Sequence, residues 1–170
     1  MTGSLPSLRP VVYVDRSVVE DAIKGRMRPR DRAALYRLAA MVTEDVLSFY
    51  CPGEGRCLIE RASPEEREKN AREYAALIGL CRVDAAWLGE DAGRDLTETA
   101  DCRVLADWLG NAADARSILH ARSLGVRDLV AADSSSAVKK MGEIEGRLGL
   151  RVFRPADYLS RWSTQQRLPG

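Results

Sequence analysis

Four acidic residues stand where an open parallel sheet presents its ligand-binding groups. Asp15 closes the apolar run Val11-Val12-Tyr13-Val14, and Asp133 closes Leu129-Val130-Ala131-Ala132. Asp114 opens the helical pattern Asn111-Ala112-Ala113-Asp114-Ala115-Arg116. Glu60 follows the stretch Val46-Leu47-Ser48-Phe49-Tyr50 and a Gly-rich loop. The carboxyl ends of parallel strands share one rim, and ligands bind there. Four carboxylates gathered on it would repel one another unless a cation stood between them, and a divalent metal is the candidate.

Composition narrows the alternatives. The 170 residues suit one domain with a real core. Lys and Arg number 26 against 25 Asp and Glu, so the chain is no strongly basic, charge-driven nucleic-acid binder. A local basic patch beside an acidic pocket remains compatible with that balance. No apolar run approaches the roughly 18 residues of a membrane span, and the start lacks a basic and then apolar leader. The expectation is a cytoplasmic protein without a membrane partner. The four cysteines, Cys51, Cys57, Cys81 and Cys102, form no C-x-x-C pair and read as free thiols. The single histidine, His120, lies mid-helix with no nucleophile motif nearby, which argues against Ser-His-Asp or Cys-His catalysis.

The elements that must position the acids follow from the pattern. Residues 1–9 read as a flexible lead, 10–162 as one domain and 163–170 as a flexible tail. Short apolar runs at 11–14, 46–50 and 128–132 read as buried parallel strands, with 151–153 as a last short one. A further strand is expected over 81–87. Helical spacing covers 18–24, 29–43, 97–109, 112–124 and 134–148, and extends over 155–162. Ser63-Pro64-Glu65-Glu66 is a helix start, with a hydroxyl cap, Pro at the first position and acids in the first turn, and that helix is expected to reach Gly79. Cys51-Pro52-Gly53-Glu54-Gly55 reads as a loop. Strands alternating with helices predict an α/β fold with a central parallel sheet.

The order of these motifs resembles a PIN domain, the nuclease fold that includes the VapC-type toxins. Val12-Tyr13-Val14-Asp15-Arg16-Ser17 matches its first strand, acid and small hydroxyl. Residues 114–126, from Asp114 through Leu124-Gly125-Val126, lead into Leu129-Val130-Ala131-Ala132-Asp133. That is an acid starting a small-residue helix that ends in Leu-Gly, then a strand ending in acid. Leu148-Gly149-Leu150-Arg151-Val152-Phe153-Arg154-Pro155 is similar to the family's closing strand and Pro-led turn. The resemblance covers roughly residues 10–160.

It implies a three-layer α/β/α fold and an endoribonuclease that depends on Mg²⁺ or Mn²⁺. Asp15, Asp114 and Asp133 match the first, third and fourth family acids and would hold the principal ion. Glu60 fits the second acid best and would bind a second ion or orient water, with Glu44 as the rival that precedes the strand. Ser17, Arg116 and Ser136 are the candidate substrate contacts. An antitoxin protein and a homodimer are the implied partners beside RNA. The chain departs from the family pattern at Ala131, where many members carry a hydroxyl two residues before the last acid. That departure motivates an alternative, a PIN-like module that binds RNA or protein without catalysis. Phosphodiester hydrolysis needs an activated water and stabilised phosphoryl oxygens, which hard-oxygen metal sites supply without histidine or cysteine.

Overall fold

A computed structural model describes residues 10–81 and 100–165. In chain order the elements are β1 (Val11–Val14), α1 (Arg16–Ile23), α2 (Pro29–Thr43), β2 (Ser48–Tyr50), α3 (Gly53–Arg61), α4 (Pro64–Lys69) and α5 (Ala71–Leu80). Then follow α6 (Ala100–Leu109), α7 (Ala112–Ser123), β3 (Asp128–Val130), α8 (Ser136–Lys139), α9 (Met141–Leu148), β4 (Arg151–Phe153) and α10 (Pro155–Gln165).

The four strands form one parallel sheet in the order β2-β1-β3-β4. It is buried on both faces, as the unbroken apolar runs require. Val12 and Val14 of β1 pack with α1, α2, α5 and α10, whereas Tyr13 between them packs with α6, α7 and α9. The same alternation continues across β3, where Leu129 and Ala131 face one layer and Val130 and Ala132 the other. The fold is therefore a three-layer α/β/α sandwich. The period-2 alternation of apolar side chains gives each helical layer its own core.

The order places β2 and β3 on opposite sides of β1. Successive crossovers therefore leave β1 in opposite directions, and a crevice opens at the carboxyl ends of β1 and β3. The hydrogen bond from the Asp15 N–H to the Val130 carbonyl, 2.8 Å, closes the sheet just beneath that crevice.

Four local readings differ from the pattern. The loop at 51–55 is partly helix, because Pro52 caps α3 with extended backbone and Gly53 begins its first turn. The helix expected from Ser63 to Gly79 breaks at Asn70 (φ −118°), whose side-chain amide donates instead to the Ile23 carbonyl at 2.8 Å. Its start behaves as expected, with Ser63 and Glu66 forming a reciprocal capping box worth about 1 kcal/mol. The helix expected over 134–148 divides at Lys140 into α8 and α9, and Lys140 Nζ donates to the Trp108 carbonyl at 2.6 Å. The last helix runs to Gln165, so residues 163–165 are ordered helix, not tail. The strand expected over 81–87 lies almost wholly outside the described residues. No helix among the described residues is long and apolar enough to cross a membrane.

His120 lies in the α6/α7 layer. Its Nδ1 is 2.9 Å from the Tyr13 hydroxyl, the ring is 5 % exposed, and burial pushes its pKa below the ordinary value. The fold therefore favours neutral imidazole, whereas the unfolded chain takes up a proton first as pH falls through about 6.5. Stability is expected to be flat above that value and to fall below it, by up to about 1.4 kcal/mol per pH unit for one proton. With one histidine in the chain, the difference between wild type and a histidine-free variant in thermal melts from pH 7 to pH 5 reports on this group. His120→Gln, whose amide can still meet Tyr13, should flatten the slope, and an unchanged slope in that variant would refute the assignment.

Candidate active site

Asp15 is the first residue past β1 and the N-cap of α1. It is 2 % exposed, and its Oδ2 accepts the Ser17 N–H at 3.0 Å and the Ser17 hydroxyl. Ser17 in turn accepts the Ala132 N–H at 3.0 Å, which ties the end of β1 to the end of β3. Burial pushes the Asp15 carboxyl above its usual range, and the charge of Asp114 pushes the same way. Hydroxyls of Ser17 and Ser117 hydrogen-bond to the carboxylate and counter part of that rise.

Asp114 enters from the facing layer. Asn111 caps α7 by accepting the Asp114 N–H at 3.1 Å, which places the Asp114 side chain in the first turn. An acid there is favoured by the helix dipole by about 0.3–1 kcal/mol. Its Oδ2 accepts the Ser136 N–H at 2.7 Å and the Ser136 hydroxyl. Ser117, one turn further along α7, reaches Asp15. The crevice thus brings Asp15 and Asp114 together, each buried and held by hydroxyl and amide donors. Among the described residues, no lysine or arginine forms an ion pair with either of them.

The other two expected acids stand apart. Asp133 lies on the same rim, but its carboxylate accepts from Arg154 Nε at 2.8 Å and is paired with Arg28. The Arg154 hydrogen bond, with Arg28 beside it, holds Asp133 below the usual carboxylate range. Glu60 falls in the last turn of α3, 63 % exposed, 3.3 Å from Arg56 Nε one turn back. Glu44 caps the C-terminal end of α2 and pairs with Arg37, at the opposite rim of the sheet. Among the described residues no three His, Cys, Asp or Glu side chains form a metal-binding group. The four-carboxylate cluster expected from the sequence is therefore a pair, Asp15 with Asp114. Two arginines take Asp133 out of it, and the early start of α3 takes Glu60 out.

That early start brings in a carboxylate the sequence pattern had placed in a loop. Glu54 occupies the first turn of α3, directly after β2, and its Oε1 is 2.7 Å from Arg116 Nη1 on α7. Its charge reaches Tyr13 of β1, whose hydroxyl is raised well above its ordinary pKa by burial and then by Asp15 and Glu54 among its neighbours. The available signal was Pro52 followed by a small residue and an acid, a helix-start pattern. The candidate substrate contacts have structural partners here. Ser17 and Ser136 support the two buried acids, and Arg116 is held by Glu54.

Cys51 and Cys102 are buried, and the Cys81 thiol is pushed up by its hydrogen bond with Cys51 and by burial, away from thiolate reactivity. Trp108 lies between Lys140 Nζ and the Arg147 guanidinium, 4.7 and 4.9 Å from its ring centre.

No protein-family model, curated protein or solved structure matches this chain.

Proposed function

We propose that the chain is a PIN-like endoribonuclease that depends on Mg²⁺ or Mn²⁺, with Asp15 and Asp114 as its principal metal-holding residues. The observation that carries this reading is the pair itself. Two carboxylates approach within the crevice at the switch point, both buried and both lacking a cationic side-chain partner among the described residues. Burying like charges together is costly, and one way to offset the cost is a bound cation. Mg²⁺ keeps several waters and is commonly held by only one or two protein carboxylates, so this donor set fits it. When bound, such an ion polarises a phosphoryl oxygen and lowers the pKa of a bound water.

The chain's own groups do the positioning. Ser17 and Ser136 each hold one oxygen, Oδ2, of the two carboxylates and so fix how the acids are turned. Outer partners of this kind set ligand orientation and basicity. Ala132, through Ser17, keeps the β3 end in register with the β1 end. Glu54 fixes Arg116 beside the pair, where a guanidinium can meet a phosphate oxygen. An antitoxin and a homodimer belong to this reading as further proposals, as does a cytoplasmic location.

The test is cleavage of a mixed RNA pool by the purified chain with Mn²⁺, against EDTA. Cleavage that EDTA blocks is the expected result. A folded protein that neither cleaves RNA nor binds Mn²⁺ in calorimetry would overturn the reading. One observation favours a second reading, a binding module without catalysis: Asp133 is already paired with Arg28 and Arg154. That module would bind RNA equally well with and without metal and never cut it.

A further inference from the structure

An open groove of about 630 Å³ runs along α2, with Arg72 of α5 on its flank. Arg32, Tyr36 and Arg37 line it from α2 and Arg72 from α5, and none of its lining residues is acidic. Arg30 lies on the same stripe of α2 as Ala33 and Arg37, three and seven residues on. The Arg72 guanidinium stacks over the Tyr36 ring at 4.2 Å, and the Tyr36 hydroxyl donates to Glu73 Oε1 at 2.5 Å. Glu73 is 7 % exposed, so its charge lies beneath the groove and is shared with Arg32 at 3.9 Å. Arg37 has a weak exposed partner in Glu44, 3.4 Å away, of the kind that exchanges readily for another anion.

We infer that this groove seats the backbone of a single-stranded nucleic acid and delivers it to the acid pair; the inference rests on the nuclease reading. Three features carry it. First, the lining is cationic although the whole chain is close to neutral, so the local charge is segregated. Second, an arginine plane stacked on an aromatic ring is a platform for unpaired bases, which an acidic peptide would not use. Third, one end of the groove reaches the rim that carries the acid pair. Pro29 lines the groove, and Arg28, the preceding residue and the N-cap of α2, is paired with Asp133 on the rim. From Arg28 to Arg37 the helix advances about 14 Å at 1.5 Å per residue, enough for a few successive phosphates. The positive end of the α2 dipole points to the same place.

The experiment is anisotropy of a fluorescein-labelled oligouridylate with the full chain in EDTA, across a salt series. Binding that weakens with salt is expected. Arg37→Glu with Arg72→Glu should weaken it at least about tenfold and flatten the log–log salt slope by roughly 0.7 for each lost phosphate contact. Arg122→Glu, near the far end of α7, makes the same charge reversal as each of the two groove substitutions and should stay within about twofold. If the double variant fails to fold by circular dichroism, Arg37→Gln alone, an exposed change, should still flatten the slope by roughly 0.7. No binding by wild type would overturn the groove. So would unaltered binding by the folded groove variants, an equal loss in Arg122→Glu, or polyglutamate of equal length binding as tightly as the RNA. The nuclease reading fails separately: RNA held in the groove but never cut with Mn²⁺ sinks catalysis alone. Full cleavage by the groove variants at unchanged KM sinks the groove alone.

Discussion

Replacing Asp15 by asparagine is expected to abolish Mn²⁺-dependent RNA cleavage and, in EDTA, to make the protein more stable. Both effects have one origin. Asp15 is 2 % exposed and lies beside a second carboxylate, and its pKa is raised chiefly by burial. A group whose folded pKa is raised supports the fold in its protonated form. That support is complete below the unfolded pKa of about 3.9 and is lost as pH rises through the folded value. At pH 7 the ionised carboxylate therefore works against the fold. Asparagine keeps the acceptor for the Ser17 N–H and hydroxyl, removes the charge, and can donate toward Asp114. A gain of about 1–2 kcal/mol is expected, which for a chain of this size is a rise in Tm of about 2–8 °C. The gain should vanish in acid, where wild-type Asp15 is protonated as well. Adding Mn²⁺ reverses the ranking. A ligand at 100 times its Kd stabilises by about 2.7 kcal/mol, and only wild type should show this. Cleavage should fall at least about 100-fold, because even the outer partners of metal ligands cost 10- to 100-fold when lost. Thermal melts with EDTA and with Mn²⁺, at pH 4 and pH 7, decide the matter. A variant less stable than wild type in EDTA at pH 7, or a wild type indifferent to Mn²⁺, would remove the basis for the assignment.

The sequence made the sheet legible because its signal is short-range. Val11 to Val14 and Leu129 to Val130 are apolar on both faces, a pattern that only a doubly covered parallel strand satisfies. Asp15 and Asp114 were legible for the same reason, since each takes its place from an adjacent strand end or helix cap. The rest depended on partners distant in sequence. Asp133 was correctly placed at the rim, but its direction is set by Arg28, 105 residues before it, and by Arg154, 21 residues after it. No local pattern encodes that pairing. Glu60 was weighed only against Glu44, because Cys51-Pro52-Gly53-Glu54-Gly55, with its two glycines, reads as a loop and hides Glu54. Tertiary packing overrides that propensity: Gly55 stands against Cys51 and Val19, where an added Cβ would lie 3.1 Å from the Cys51 sulfur and 3.3 Å from a Val19 methyl. Glycine at 55 lets α3 press close to α1, and the helix consequently begins one turn earlier than its composition suggests.

Glu54→Gln is expected to lower cleavage about 10- to 100-fold, whereas Glu60→Gln should leave it within about twofold. The two residues share a helix and differ in which end they occupy. Glu54 is in the first turn, on the rim side, and holds Arg116 at 2.7 Å. Arg116 is two residues past Asp114, its side chain is 26 % exposed, and its Nε is buried without a partner among the described residues. A half-buried guanidinium with one buried, unsatisfied donor depends strongly on the carboxylate it retains. Neutralising Glu54 weakens that hold and leaves the Arg116 charge uncompensated at the rim. An uncompensated guanidinium there disfavours a second cation, so Mn²⁺ affinity should fall together with kcat/KM. Glu60 makes a solvated pair with Arg56 at i, i+4, worth only a few tenths of a kcal/mol, and lies six residues further on, about 9 Å along the axis. A purely structural role for Glu54 would lower Tm without changing Mn²⁺ affinity in the folded protein, so calorimetry on the folded variants separates the two. Glu54→Asp, which keeps the charge, should recover part of the affinity. Loss of activity in Glu60→Gln with full activity in Glu54→Gln would return the second acid to Glu60. It would also mean that α3 must shift along its axis when substrate binds.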